Sequence, residues 1–179
     1  MGYGDLGCFG NPNIRTPNID KLADEGIKLT SFYAAAPVCT PSRAALLSGK
    51  YPIHTLPGNL GPGSKNGFPL DEPMISEVLK DAGYRTMAIG KWHLGHANDD
   101  ILPTGRGFDH YFGLPYSNDM IKPWVNTEIP LKMYEDNEPA YIVNHNQDSN
   151  TVKYTAKALE FVGENSENPF FLYMPFSMP

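Results

Sequence analysis

Cysteine is scarce: the 179-residue chain has two, Cys8 and Cys39. Two thiols make no disulfide scaffold, and spacing alone does not decide whether they pair. Positive charge is also short. Fourteen Lys and Arg face 20 Asp and Glu, for a net charge of −6. That balance argues against a nucleic-acid partner and leaves room for a small basic pocket. No apolar run reaches transmembrane length. The chain has no internal repeat, low-complexity tract, Gly-rich phosphate loop, Ser/His/Asp motif or Cys/His zinc spacing. The opening Met1-Gly2-Tyr3-Gly4 carries no signal-peptide pattern and leaves the compartment open.

What is present is a globular composition, 41% hydrophobic and 19% charged, long enough for one domain with a substantial core. Seventeen Gly and 17 Pro predict many turns and long irregular connections. Residues 1–15 are turn-rich. Thr16 caps, Pro17 starts and Gly26 stops a first helix, with Ile19, Leu22 and Ala23 as its apolar face. Ile27 to Tyr33 alternates enough to predict a strand. A second helix runs from Thr40 as N-cap through Pro41 to Gly49. Residues 51–70 read as loop. Pro73 to Ala82 reads as a helix with Ile75, Val78 and Leu79 as its apolar face. A buried strand follows over Tyr84 to Gly90. Residues 96–147 read as loop with one hairpin around Tyr134 to Val143. Asn150 to Val162 is a helix and Phe170 to Met174 a strand. The repeated helix–Gly–strand order predicts an α/β fold with a largely parallel sheet, and ligands gather beyond the carboxyl ends of such strands.

The chemistry concentrates in two stretches. Cys39 stands at the start of a Pro-containing helix, where free N–H groups and the helix dipole favour negative charge, and Arg43 lies one turn on. Two readings stand: an inert buried thiol with a surface arginine, or a nucleophile beside an anion cradle. Lys91 and His93 follow a strand end directly. If the backbone stays extended they point to one side and face one anion, His93 donating a proton and Lys91 neutralising charge. Alone, Ser117 reads as a turn hydroxyl, and His54, His96, His110 and His145 as solvent-facing loop residues.

Cys39-Thr40-Pro41-Ser42-Arg43, with Ala44 to Lys50, resembles the sulfatase signature. Gly2 to Gly10, Thr16 to Asp20, Gly26 to Tyr33, Gly90 to Gly95, Gly107 to Asp109, Tyr111 to Gly113 and Asn168 to Tyr173 resemble further sulfatase segments in order, nearest to the arylsulfatase type. The resemblance implies an α/β fold like that of alkaline phosphatase, with a mainly parallel or mixed sheet flanked by helices. It implies a single catalytic domain over residues 1–179, incomplete at both ends. It implies a sulfuric ester hydrolase in which a maturating enzyme, such as the formylglycine-generating enzyme, converts Cys39 to Cα-formylglycine. One hydroxyl of the aldehyde hydrate would attack sulfur and release the alcohol. The other would lose its proton and expel sulfate, restoring the aldehyde.

By the same resemblance Arg43 would hold the hydrate, Lys91 would contact sulfate oxygens, His93 would bond the hydrate oxygen and assist its deprotonation, and Ser117 would lie near the substrate. Cys39, as formylglycine, would be a ligand of one Ca²⁺. The family's Asp-Asp pair falls before Met1. Its His, Asp-Asn pair and second Lys fall beyond Pro179. The expectation is therefore weak metal binding and little activity for the isolated chain, since Ca²⁺ wants six or more oxygen ligands. A secretory, lysosomal, periplasmic or extracellular setting is also implied. The alternatives are a phosphate or phosphonate monoester hydrolase of related fold and a truncated, non-catalytic sulfatase-like protein.

Overall fold

The computed structural model describes residues 2–177; Met1, Met178 and Pro179, with which the sequence opens and closes, lie outside the described residues. The chain forms two compact units, one up to Ala34 and one from Ala35 on.

The first unit holds two single 3₁₀ turns, Tyr3–Asp5 and Gly7–Phe9, and helix α1, Pro17–Glu25. Pro17 sits in the first turn of α1, as its sequence predicts. The Asp20 carboxylate accepts from Thr16 Oγ1 at 2.8 Å and from the Cys8 N–H at 2.7 Å, tying the helix start to the second turn. The strand expected over Ile27 to Tyr33 is absent: that stretch is irregular and exposed. Alternation makes a strand only where another strand supplies hydrogen bonds, and no described residue before Ala35 is in a strand. The apolar face of α1 is likewise uncovered, with Leu22 69% exposed.

The second unit is an α/β sandwich. Helix α2 spans Cys39–Ser48 and α3 spans Ile75–Asp81. Strand β1 covers Arg85–Lys91, β2 His110–Leu114, β3 Lys132–Glu135 and β4 Glu138–Ile142. Helix α4, Asn150–Glu164, leads to β5, Phe170–Tyr173. The strands lie in the order β4-β3-β2-β1-β5. β1 is central and parallel to both β2 and β5, while β3 and β4 form an antiparallel hairpin on β2. The sheet is therefore mixed, parallel only around β1.

Two side-chain clusters cover its faces. On one, Met87, Ile89, Phe112 and Leu114 pack with Tyr154, Ala158 and Phe161 of α4. On the other, Ala88, Trp92 and Tyr111 pack with Ala44 and Leu47 of α2 and with Phe68, Met74 and Phe108. Helix α3 corrects the sequence reading: Ile75 and Val78 are exposed, and the buried positions are Met74, which caps the helix, and Ser76 within it. Ser76 is drawn inward because its hydroxyl donates to the Arg106 carbonyl. Strand β2 was hidden in the stretch read as loop. Its sequence, His-Tyr-Phe-Gly-Leu, is short and broken by Gly113, and it becomes a strand because β1 and β3 flank it. The hairpin forms where expected, two residues early. No helix among the described residues is long and apolar enough to cross a membrane.

Candidate active site

β1 delivers Lys91 at its carboxyl end, where ligands of parallel sheets gather. The β1–β2 pairing runs on past both strands: the Trp92 N–H donates to Leu114 O at 2.9 Å and the His93 N–H to Pro115 O at 3.1 Å. This holds the chain after β1 against the chain after β2, and so sets Lys91 beside Ser117. On the other flank the Lys91 N–H donates to Pro175 O at 3.1 Å. Gly90 lies at φ +113°, and a Cβ there would stand 2.3 Å from Pro175 O, so only glycine admits this approach.

Cys39 opens α2 and is half-buried. Its Sγ accepts from Lys91 Nζ at 3.1 Å. Lys91 Nζ also donates to Ser117 Oγ at 2.8 Å. Arg43, one turn along α2, donates from Nη1 to the Lys91 carbonyl. Four of the five residues singled out by sequence thus meet directly. Lys91 is 7% exposed, and neither it nor Arg43 takes part in any ion pair among the described residues. Two cations stand near the N-terminus of α2, and no carboxylate among the described residues forms an ion pair with either. Burying an ammonium without a counter-charge costs free energy, and an incoming anion relieves it. Beside Cys39 lies an open groove of about 490 Å³, lined by Arg43, Tyr173 and Pro175 among others. Burial raises the Tyr173 phenol above its usual range while the Arg43 charge acts the other way, so Tyr173 stands neutral.

His93, the fifth residue, is fully buried. The condition for Lys91 and His93 to point to one side, an extended backbone through His93, is not met. His93 sits at φ +61°, which turns it out of strand geometry. Its Nε2 lies 2.7 Å from the Leu60 carbonyl. A carbonyl only accepts, so Nε2 carries the proton and Nδ1 keeps the lone pair. Nδ1 is buried and has no partner among the described residues. Burial lowers the pKa to about 4, with the Lys91 and Arg43 charges adding to the effect against the bond to Leu60. His93 is therefore a neutral imidazole with a free lone pair. With its one ring proton held by the Leu60 carbonyl, it presents an acceptor at Nδ1 and has no second proton to donate there.

The sign of the linkage follows. Between the ordinary value of 6.5 and the folded value of about 4 the unfolded chain binds the proton first. Stability from the neutral imidazole is thus present above this window and lost as pH falls through it. Relative to a His93→Gln variant, the wild-type chain is expected to lose about 2 kcal/mol more between pH 7 and about pH 5 in urea unfolding. Parallel pH slopes for the two proteins would refute this.

Thr40 is not the N-cap. The helix begins two residues earlier, at Cys39, and Val38 holds that position. Thr40 is buried instead, and its hydroxyl donates to the His93 carbonyl at 2.9 Å. His96 is also not solvent-facing: its Nε2 lies 2.8 Å from Pro62 O, Nδ1 is buried without a partner among the described residues, and burial lowers its pKa. Neither role had a sequence signal, because both partners are backbone carbonyls, of His93 and of Pro62, far along the chain from the side chains that meet them. His54, His110 and His145 are exposed as expected.

The fit of the implied groups divides. A group carrying oxygens and negative charge suits the Cys39 position, where an ammonium already donates to sulfur. Ca²⁺ does not suit what the chain supplies. No three His, Cys, Asp or Glu side chains converge among the described residues, and the groups around Cys39 are cationic or neutral.

The profile of the family described as Sulfatase matches residues 1–179. The chain is 49% identical over 122 residues to human "Arylsulfatase A", covering 66% of this chain and 24% of that protein. It is 39% identical over 204 residues to human "Arylsulfatase G", covering 97% of this chain and 38% of that protein. Among solved structures it superposes on the PsFucS1 sulfatase from Pseudoalteromonas sp. with a TM-score of 0.82 at 31% identity, over 100% of this chain and 42% of that one. The chain thus spans about a quarter to two fifths of the length of these relatives.

Proposed function

Because the chain belongs to the sulfatase family, we propose that it is part of a sulfuric ester hydrolase whose nucleophile is made from Cys39. Both compact units belong, in this reading, to one catalytic domain. The observation that carries the reading is the uncompensated cation pair: Lys91, buried and bonded to Cys39 Sγ, with Arg43 behind it and neither of them in an ion pair among the described residues. Such a pair is an anion site with a reactive position at its centre.

Cys39 is proposed to be converted to Cα-formylglycine by a maturating enzyme, and the aldehyde hydrate supplies a hydroxyl able to attack sulfur. The residues of this chain do the rest. Lys91 binds the sulfate oxygens and offsets the charge that builds on them. Ser117 fixes the Lys91 ammonium and lies next to the substrate. Arg43 holds the Lys91 main chain and adds positive charge at the helix start. His93, neutral and carrying its lone pair on Nδ1, takes up the proton that must leave a hydroxyl before sulfate departs. Ca²⁺, the metal typical of the family, belongs to the complete site. Its ligands are not furnished by the described residues and no step here is routed through it.

The test is a comparison of aryl sulfate and aryl phosphate turnover, at saturating Ca²⁺, by the longest gene product carrying this sequence after maturation of Cys39. Preference for sulfate, abolished by Cys39→Ala, is expected. Preference for phosphate would replace this reading with a phosphate monoester hydrolase. Absence of both activities would leave a non-catalytic member of the family.

A further inference from the structure

Three buried residues from three separate segments close a ring of hydrogen bonds. The Thr40 hydroxyl donates to the His93 carbonyl at 2.9 Å. The same oxygen accepts from the Leu60 N–H at 3.3 Å. His93 Nε2–H donates back to the Leu60 carbonyl at 2.7 Å. Thr40 and His93 have no exposed surface, and Leu60 is 6% exposed. The Thr40 N–H adds a tie to the Asn59 side chain at 3.3 Å. The Thr40 hydroxyl, the His93 carbonyl and Nε2, and the Leu60 N–H and carbonyl are paired with one another, so these three bonds are made away from water, where an orphaned group is costly. His93 Nδ1 is buried and has no partner among the described residues.

From this ring we infer that Thr40 is a positioning residue: through Leu60 it fixes the tautomer of His93, and so keeps the lone pair on Nδ1. The inference deepens the function proposed above and shares its premise that His93 acts as a base. Thr40 itself touches no reacting atom. It acts through geometry in two ways. Its hydroxyl satisfies the carbonyl of His93, which the φ of +61° turns away from the β1–β2 ladder. It also anchors the Leu60 N–H, and hence holds the carbonyl of the same residue against Nε2. Residues 57–63, Pro-Gly-Asn-Leu-Gly-Pro-Gly, have no regular structure to hold Leu60 in place. A second imidazole pins the same loop independently, His96 Nε2 on Pro62 O at 2.8 Å. His96 has no contact with Thr40 among these bonds and serves as an internal control.

The experiment uses the full 179-residue chain labelled with ¹⁵N at histidine, and reads tautomers from the ring nitrogens. Wild type is expected to show a single Nε2–H form at both His93 and His96. Thr40→Val keeps the shape and removes the hydroxyl. It is expected to give a mixture of tautomers at His93, leave His96 unchanged, and speed exchange of the Leu60 amide by about tenfold. Thr40→Ser restores the wild-type pattern. A single His93 tautomer in Thr40→Val, or a change at His93 and His96 together, would overturn the inference. If Thr40→Val does not fold, wild type and Thr40→Ser decide. A protected Leu60 amide and a single His93 tautomer in both support it, and a Leu60 amide that exchanges like an open loop overturns it. These readings need no turnover, so a chain inactive on aryl sulfate can still keep its ring.

Discussion

Replacing Lys91 with Ala is expected to lower kcat/KM for an aryl sulfate by about 10²–10³-fold in the matured enzyme. The size follows from where the ammonium stands. It is buried, fixed between Cys39 Sγ and Ser117 Oγ, and among the described residues no carboxylate pairs with it. A charge held this way needs no reorganisation when negative charge develops on a sulfate ester, and the poorly hydrated site strengthens it. Lys91→Arg should not restore the rate. The planar guanidinium is longer and cannot place one donor between a sulfur and a hydroxyl 3.1 and 2.8 Å away. Ser117→Ala keeps the charge and loses only its tether, so a fall of about tenfold is expected. Steady-state kinetics with the three variants separates these effects. A Lys91→Ala enzyme within about threefold of wild type would remove Lys91 from the transition state.

Gly113→Ala is expected to cost about 3 kcal/mol or more of stability in urea unfolding. Gly113 pairs with Gly90 across the parallel β1–β2 contact. A Cβ at Gly113 would lie 1.9 Å from the Gly90 carbonyl oxygen, a backbone atom that cannot swing aside. The strands would have to part at the step that leads into Lys91 on one side and Ser117 on the other. Stability and site geometry should fail together, which a loss of the Lys91–Ser117 contact in a crystal structure of the variant would show. Gly163→Ala is the control. That residue lies within α4 with open space where a Cβ would go, so alanine is expected to be neutral or to stabilise by up to about 1 kcal/mol. Equal effects at the two glycines would mean that the close approach of β1 and β2 does not constrain the fold.

The sequence made the two polar stretches legible because their chemistry is local. Cys39 and Arg43 share one helix, and Lys91 and His93 directly follow a strand. Their meeting was not legible from periodicity, since it depends on β1 lying between β2 and β5. What the residues hid is chiefly backbone-dependent. Thr40 has the composition of an N-cap, yet a carbonyl turned by the left-handed backbone of His93 claims its hydroxyl. His93 reads as a donor by type, but a loop carbonyl at Leu60 takes its one proton and makes it an acceptor. The short β2 became a strand only through its neighbours. Conversely, Ile27 to Tyr33 has the pattern of a strand and no described partner to pair with.

The central claim is that Cys39 is where this protein builds its nucleophile, and peptide mass spectrometry tests it most directly. The chain is coexpressed with a formylglycine-generating enzyme and digested, and the peptides holding Cys39 and Cys8 are weighed. The account predicts a Cys39 peptide lighter by about 18 Da, as the thiol gives way to an aldehyde that a hydrazide captures, and a Cys8 peptide that keeps its thiol. A Cys39 peptide that leaves coexpression with its thiol intact would contradict it.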